Sequence, residues 1–170
     1  MLPFADQSFD AVTAANALQF APDPARALAE AARVLRPRGA LVVALFAEPE
    51  RNEGTVLHLA MKHLVEQVEG REDGYAPYAL SQPGGLEQAV TEAGLTVREA
   101  GEVPLTWRYA DRETTLRTLL CSAGGARAAK VAGREQVEAA LNEAMTPLVR
   151  EDGAVTMDNI FRYVVAERPA

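Results

Sequence analysis

The chain is predicted to be an α/β protein built on a mostly parallel sheet, on three observations in its first forty-six residues. Phe9 to Ala15 is a short, mostly apolar run of strand length, preceded by the polar turn Ala5-Asp6-Gln7-Ser8. Its composition suits a strand buried on both faces. A helical pattern follows. Asp23 stands at the N-cap, Pro24 takes the first helical position, where its missing N–H is harmless, and Leu28, Ala31, Ala32 and Leu35 recur at helical spacing. The stretch Arg36-Pro37-Arg38-Gly39 ends that helix, because Pro37 cannot continue the hydrogen bonding and Gly39 can adopt the positive φ that turns the chain back. Ala40 to Phe46 is a second apolar run. Two such strands joined by one helix make a right-handed parallel crossover, and ligands bind beyond the carboxyl ends of strands in sheets of that kind. Those places are Asn16 to Phe20 after the first strand and Ala47-Glu48-Pro49 after the second.

The remaining elements follow in order. A helix is expected from about Gly54 to Glu69, with Leu57, Met61, Leu64, Val65 and Val68 as its apolar stripe and Gly70 as its stop. Arg71 to Gln82 reads as a loop whose Tyr75 and Tyr78 either face a substrate or fold the loop onto the core. A helix opens at Ser81 or Gln82, around Pro83, and runs to Ala93, with Leu86, Ala89, Val90 and Ala93 inward and Gly94 after its end. Leu95 and Val97 begin an alternating run that resumes as Val103, Leu105, Trp107 and Tyr109, and Pro104 places part of it at a sheet edge or a bulge. Asp111 caps a short helix bearing Leu116, Leu119 and Leu120, which Gly124-Gly125 should break. A weakly helical, alanine-rich segment leads to Gly133, and a helix of roughly Arg134 to Val149 follows, limited by Pro147. Asp152-Gly153 is a turn before a final strand, Asn159 to Glu167.

Composition narrows the function classes. Hydrophobic residues at 48% and charged residues at 24% describe a globular chain, and 170 residues suffice for one domain with its own core. A formal net charge of −7 weighs against nucleic acid or an anionic membrane as a partner. The single cysteine, Cys121, excludes an intramolecular disulfide and reads as a buried, inert thiol. His58 and His63 lie five apart, about 140° around a helix, so they do not converge on a metal, and no metal site is expected. Arg127, Lys130 and Arg134 read as a solvated face. No run approaches a membrane span and no signal peptide is evident, so a cytoplasmic protein is expected.

Leu2-Pro3-Phe4, Asp6, Ser8-Phe9-Asp10, Asn16 to Phe20, Pro22-Asp23-Pro24, Ala27-Leu28, Glu30 and Arg33 to Pro37 with Gly39 together resemble the middle of a class I S-adenosylmethionine-dependent methyltransferase, in the ubiquinone/menaquinone-type branch. The resemblance implies a partial Rossmann-like sheet, mostly parallel with an antiparallel last strand and helices on both faces. It implies one domain over residues 1–170, the C-terminal part of the fold, with helical cover around 50–82 and 111–150. The family's glycine-rich cofactor loop lies upstream of a segment like Leu2-Pro3-Phe4, so the cofactor site is expected to be incomplete. By the same resemblance Asn16, Ala17 and Leu18 contact the methionine portion of S-adenosylmethionine, Gln19 and Phe20 face the transfer site, and Leu2 lies against the adenine.

Methyl transfer from a sulfonium needs alignment and a dry pocket rather than a triad, so no catalytic residue is nominated; His58, Tyr75 and Tyr78 are candidates for testing. The expected activity is methyl transfer to an unidentified small molecule. Two readings stand beside it: a homodimer formed through the exposed strand Phe9–Ala15, and a non-catalytic methyltransferase-like interaction module. A nicotinamide-dependent dehydrogenase would share the parallel sheet, but neither a glycine fingerprint nor a Tyr-x-x-x-Lys pair is present.

Overall fold

A computed structural model describes residues 1–70 and 79–170; the predicted loop residues Tyr75 and Tyr78 lie outside them. The described elements are β1 (Phe9–Ala15), α1 (Pro24–Val34), β2 (Leu35–Phe46), α2 (Thr55–Glu69), α3 (Gly85–Glu92), β3 (Thr96–Tyr109), α4 (Arg112–Leu120), α5 (Ala123–Ala132), α6 (Arg134–Ala144) and β4 (Val155–Glu167). The four strands form one sheet in the order β1-β2-β4-β3. β1 pairs with β2 in parallel and β4 with β2 antiparallel, so the last strand inserts as the family resemblance implies. β3 ends the sheet, which explains how it accommodates Pro104.

The chain divides into two compact units. The first comprises Met1–Glu48, Ala76–Pro104 and Ile160–Ala170. Its core gathers Leu28 and Ala31 of α1, Leu41, Val43 and Leu45 of β2, Leu86 and Val90 of α3, and Val164 and Ala166 of β4. All of these strand residues share one face, because alternate side chains point to opposite sides of a strand. On the other face Val42 is 36% exposed, and in β1 Ala11, Thr13 and Ala15 are exposed. The expectation that Phe9–Ala15 is buried on both faces is therefore corrected: β1 is an edge strand, and the core cluster packs one side only.

The second unit comprises Pro49–Tyr75 and Leu105–Asn159. It is largely helical, with Leu57, Met61 and Val65 of α2 packed in a cluster with Ala128, Val137, Leu141 and Met145. Val68, assigned to the apolar stripe of α2, is 55% exposed, since it lies in the last turn beyond that cluster. The glycine pair does not break α4. Ser122 caps α5 by accepting from the Gly125 N–H at 3.1 Å, and both glycines sit in the first turn of α5. A side chain at Gly125 would meet the Leu119 carbonyl oxygen at 2.1 Å, so this glycine serves close packing rather than interruption. Cys121, following α4, is exposed rather than buried. α6 stops at Ala144, and a 3-10 turn over Thr146–Leu148 absorbs Pro147.

Asp23 caps α1 as predicted, accepting from the Arg26 N–H at 2.9 Å, and Asp111 caps α4 through the Thr114 N–H at 2.7 Å. The exit of α1 differs from expectation. β2 begins at Leu35, opposite Phe9, yet the next pair is Ala11 with Ala40, so Arg36 to Gly39 are extruded from the ladder. The left-handed residue there is Arg38, at φ +63°, not Gly39. Gly39 is required for space: a Cβ would lie 2.9 Å from the Arg36 carbonyl oxygen and 3.1 Å from that of Asp10. α3 opens at Gly85 rather than Ser81, because Gly84 at φ +76° turns the chain into it.

Gly39→Ala is accordingly expected to destabilise the protein by about 1–3 kcal/mol, since two backbone oxygens must move. Arg38→Gly should stabilise it by roughly 1 kcal/mol by relieving a left-handed conformation. Urea denaturation of the two variants checks both signs.

Candidate cofactor-binding site at the carboxyl end of the first strand

The parallel pairing carries β1 to Ala15, opposite Ala44, and the Asn16 N–H continues the ladder to the Ala44 carbonyl at 2.8 Å. Asn16 then turns the chain out of the sheet at φ +48°, a conformation that asparagine tolerates better than most residues. A 3-10 turn over Leu18–Phe20 follows, closed by the Phe20 N–H to the Ala17 carbonyl at 3.1 Å. Leu18 anchors it, being 6% exposed within the first core. The Gln19 amide donates to Asn16 Oδ1 at 3.2 Å, and Gln19 Oε1 is buried with no hydrogen-bond partner among the described residues. Ala17 is exposed, and Phe20 is 59% exposed.

The four residues predicted after β1 therefore form one turn, and Leu2 lies elsewhere on the first unit. Leu2 borders a cavity of about 390 Å³ together with Ala21, Pro22, Arg26, Ala27 and Glu30. Ala21 and Pro22 directly follow the Leu18–Phe20 turn, which links the two places along the chain.

Two groups escaped the sequence reading. The first is Arg33, whose guanidinium donates to the carbonyls of Leu2 at 3.3 Å and Phe4 at 2.9 Å, and to Asp6 at 2.6 Å. It also grips both carboxylate oxygens of Glu30, at 2.9 and 3.0 Å, and Glu30 accepts from the Leu2 N–H at 2.7 Å. The Arg33 guanidinium, then the Leu2 N–H, hold the Glu30 carboxyl down at about 2, and these carboxylates raise the pKa of Arg33 in turn. The visible signal was the Glu30/Arg33 spacing, three apart on a predicted helix.

The second is Arg162, 7% exposed in β4 opposite Leu45. It donates to Glu48, just past β2, at 3.1 Å and to Glu102 of β3 at 3.0 Å. Ser81 closes the same strand end by donating to the Phe46 carbonyl at 2.6 Å. Register alone brings these residues together, so no local pattern could announce them.

His58 and His63 are both exposed on α2. Among the described residues no group of three or more histidine, cysteine or acidic side chains could hold a metal, and no helix is long and apolar enough to cross a membrane. Arg127 reaches Glu69 at 3.5 Å and Arg134 reaches Glu138 at 2.6 Å, both on partly exposed surfaces.

A parallel strand-helix-strand unit with a turn at its carboxyl end, closed by an antiparallel last strand, defines a Rossmann-like methyltransferase class of fold. Over its full length the chain resembles the crystal structure of an inferred methyltransferase from Bacillus halodurans C-125, with a TM-score of 0.56 at 18% identity, covering 100% of this chain and 68% of that one. Residues 1–43 match the family model described as a methyltransferase domain. Demethylmenaquinone methyltransferase from Renibacterium salmoninarum is 56% identical over 48 residues, 28% of this chain and 20% of that protein. The enzyme of that name from Mycobacterium sp. strain KMS is 36% identical over 114 residues, 63% of this chain. The chain spans about half of the latter's length, at 48%. The chain thus carries a stretch that matches a methyltransferase domain in a fold of that class, and its sequence relatives include demethylmenaquinone methyltransferases.

Two outcomes follow from the ion pairs. Arg162→Ala is expected to cost about 3–5 kcal/mol in urea denaturation, because it breaks a largely buried ion pair, whereas Glu102→Gln, which leaves the Arg162–Glu48 pair, should cost under about 1 kcal/mol. The Glu30 carboxyl is depressed in the folded chain, so its contribution to holding Leu2 is complete above the ordinary carboxylate range and is lost as pH falls toward about 2. Exchange protection of the Leu2 amide, corrected for intrinsic rates, should decline over that window.

Proposed function

We propose that the protein takes part in methyl transfer from S-adenosylmethionine to a small-molecule acceptor of the quinone type, the class named by its sequence relatives. The observation that carries this reading is the turn after β1, where the buried carbonyl oxygen of Gln19 has no partner among the described residues. Such an acceptor calls for a donor or a positive charge at the transfer site, and a buried polar atom is costly unless it is satisfied. In this reading Asn16, Ala17 and Leu18 contact the methionine portion, Gln19 and Phe20 face the transfer site, and Leu2 lies against the adenine.

The bound cofactor supplies a methyl group on a positively charged sulfur. The work left to the chain is to bind, align and keep water away. Asn16 orients the Gln19 amide through its own side-chain oxygen, and Leu18 pins the turn to the core. The 59% exposure of Phe20 leaves its ring available as an apolar wall for a flat acceptor.

The two compact units are read here as one methyltransferase domain, with helical cover around 50–82 and 111–150, acting in the cytoplasm. We further read β1 as the seam of a homodimer. As an edge strand it carries an unpaired row of backbone donors and acceptors, which favours strand addition across a two-fold axis.

Because the cofactor site is expected to be incomplete in this chain, calorimetry with S-adenosylhomocysteine should give weak binding, weakened at least tenfold further in Gln19→Leu. Absence of binding by the unaltered chain would instead favour a non-catalytic methyltransferase-like module. Light scattering on the same sample should return the dimer mass, and a strict monomer at high concentration would overturn the β1 seam.

A further inference from the structure

We infer that Arg33 is a positioning residue for the adenine side of the cofactor site: oriented by Glu30, it straps the backbone of Leu2 to Asp6 across α1 and so sets the wall that Leu2 presents to its cavity. This rests on the methyltransferase reading above.

The segment Met1–Gln7 has no helix or strand of its own, so its position depends on other contacts. An arginine offers five N–H donors in a rigid fork. In Arg33 the Nε–H and one Nη2 donor take the two oxygens of Glu30, the other Nη2 donor takes the Leu2 carbonyl, and Nη1 serves the Phe4 carbonyl and Asp6. The five recorded hydrogen bonds match the five donors. Leu2 is held at both of its backbone groups, through its N–H to Glu30 and its carbonyl to Arg33.

Glu30 also borders the cavity beside Leu2, so the group that orients the guanidinium is itself part of the wall. The cavity of about 390 Å³ falls in the range of small-molecule sites. A lysine would keep the charge at position 33 but could not reproduce the fork. The two carbonyls and Asp6 would then lose their shared partner, leaving Leu2 free to leave the wall.

The test combines two measurements on the full chain and on Arg33→Lys, Arg33→Met and Glu30→Gln. Hydrogen exchange should show the Leu2 to Ser8 amides losing protection at least tenfold in the arginine variants, with less loss in Glu30→Gln. The amides of Leu28 to Ala31 should be unchanged, which reports that α1 remains folded. Calorimetry should show S-adenosylhomocysteine and adenosine both weakened at least tenfold and by the same factor in Arg33→Lys, because the change acts on the adenine wall. Unchanged protection of Leu2, or affinities within twofold of the unaltered chain, would overturn the inference. If the unaltered chain bound neither compound, the methyltransferase reading would fall and the positioning role with it, whereas equal affinity in chain and variant would remove the positioning role alone.

Discussion

The parallel pairing of β1 with β2 is the constraint on which the first unit depends. Two parallel strands cannot be joined by a tight turn, so the chain between them must cross over, and α1 is that crossover. The helix exits at Val34 and the ladder starts at Leu35, which leaves no residues for a loop between them. The slack is taken up instead inside the strand, by extruding Arg36 to Gly39. The cost appears as a left-handed arginine and as a glycine with no room for a side chain.

Three arginines complete what backbone pairing leaves undone. Arg168 donates to the carbonyls of Ala32, Arg33 and Leu35, satisfying the end of α1 where intrahelical partners run out. Arg33 ties the segment before β1 to the outer face of that helix. Arg162 fills the carboxyl end of the sheet with an ion pair where an apolar strand residue would be expected. Each uses the planar fork of the guanidinium to reach several oxygens at once, which a lysine could not do from one place. The first and second bear on the walls of the Leu2 cavity, since both act on α1 or on the segment laid across it.

The turn after β1 is built from a left-handed asparagine, a buried leucine and an amide that asparagine orients. None of these groups is acidic or basic, so the turn presents carbonyl and amide dipoles rather than charge. A single cluster beneath one face of the sheet supports Leu18 together with α1 and α3.

Much of the fold was legible in the sequence because its signals are local. Asp23 and Pro24 announce α1, Asp111 announces α4, Gly70 and Gly94 sit at helix ends at positive φ, and the alternation from Ile160 onward marks the last strand. The turn over Asn16 to Phe20 could be located because it must follow a strand that composition alone marks. What depends on neighbours distant in sequence was not legible. An apolar run does not say whether one face or two will be covered, so β1 reads as buried on both faces although the core packs against one. Gly-Gly reads as a helix breaker, and only the approach of the Leu119 carbonyl shows that Gly125 is there for space. By itself, then, the sequence determined the crossover and the helix caps, since these rest on residue types at short spacing, and carried the methyltransferase resemblance. Only the tertiary structure decided that the core covers one face of β1, that Arg33 binds Leu2 across thirty-one positions, and that Arg162 meets Glu48 across 114, because register and packing, not spacing, bring those atoms together.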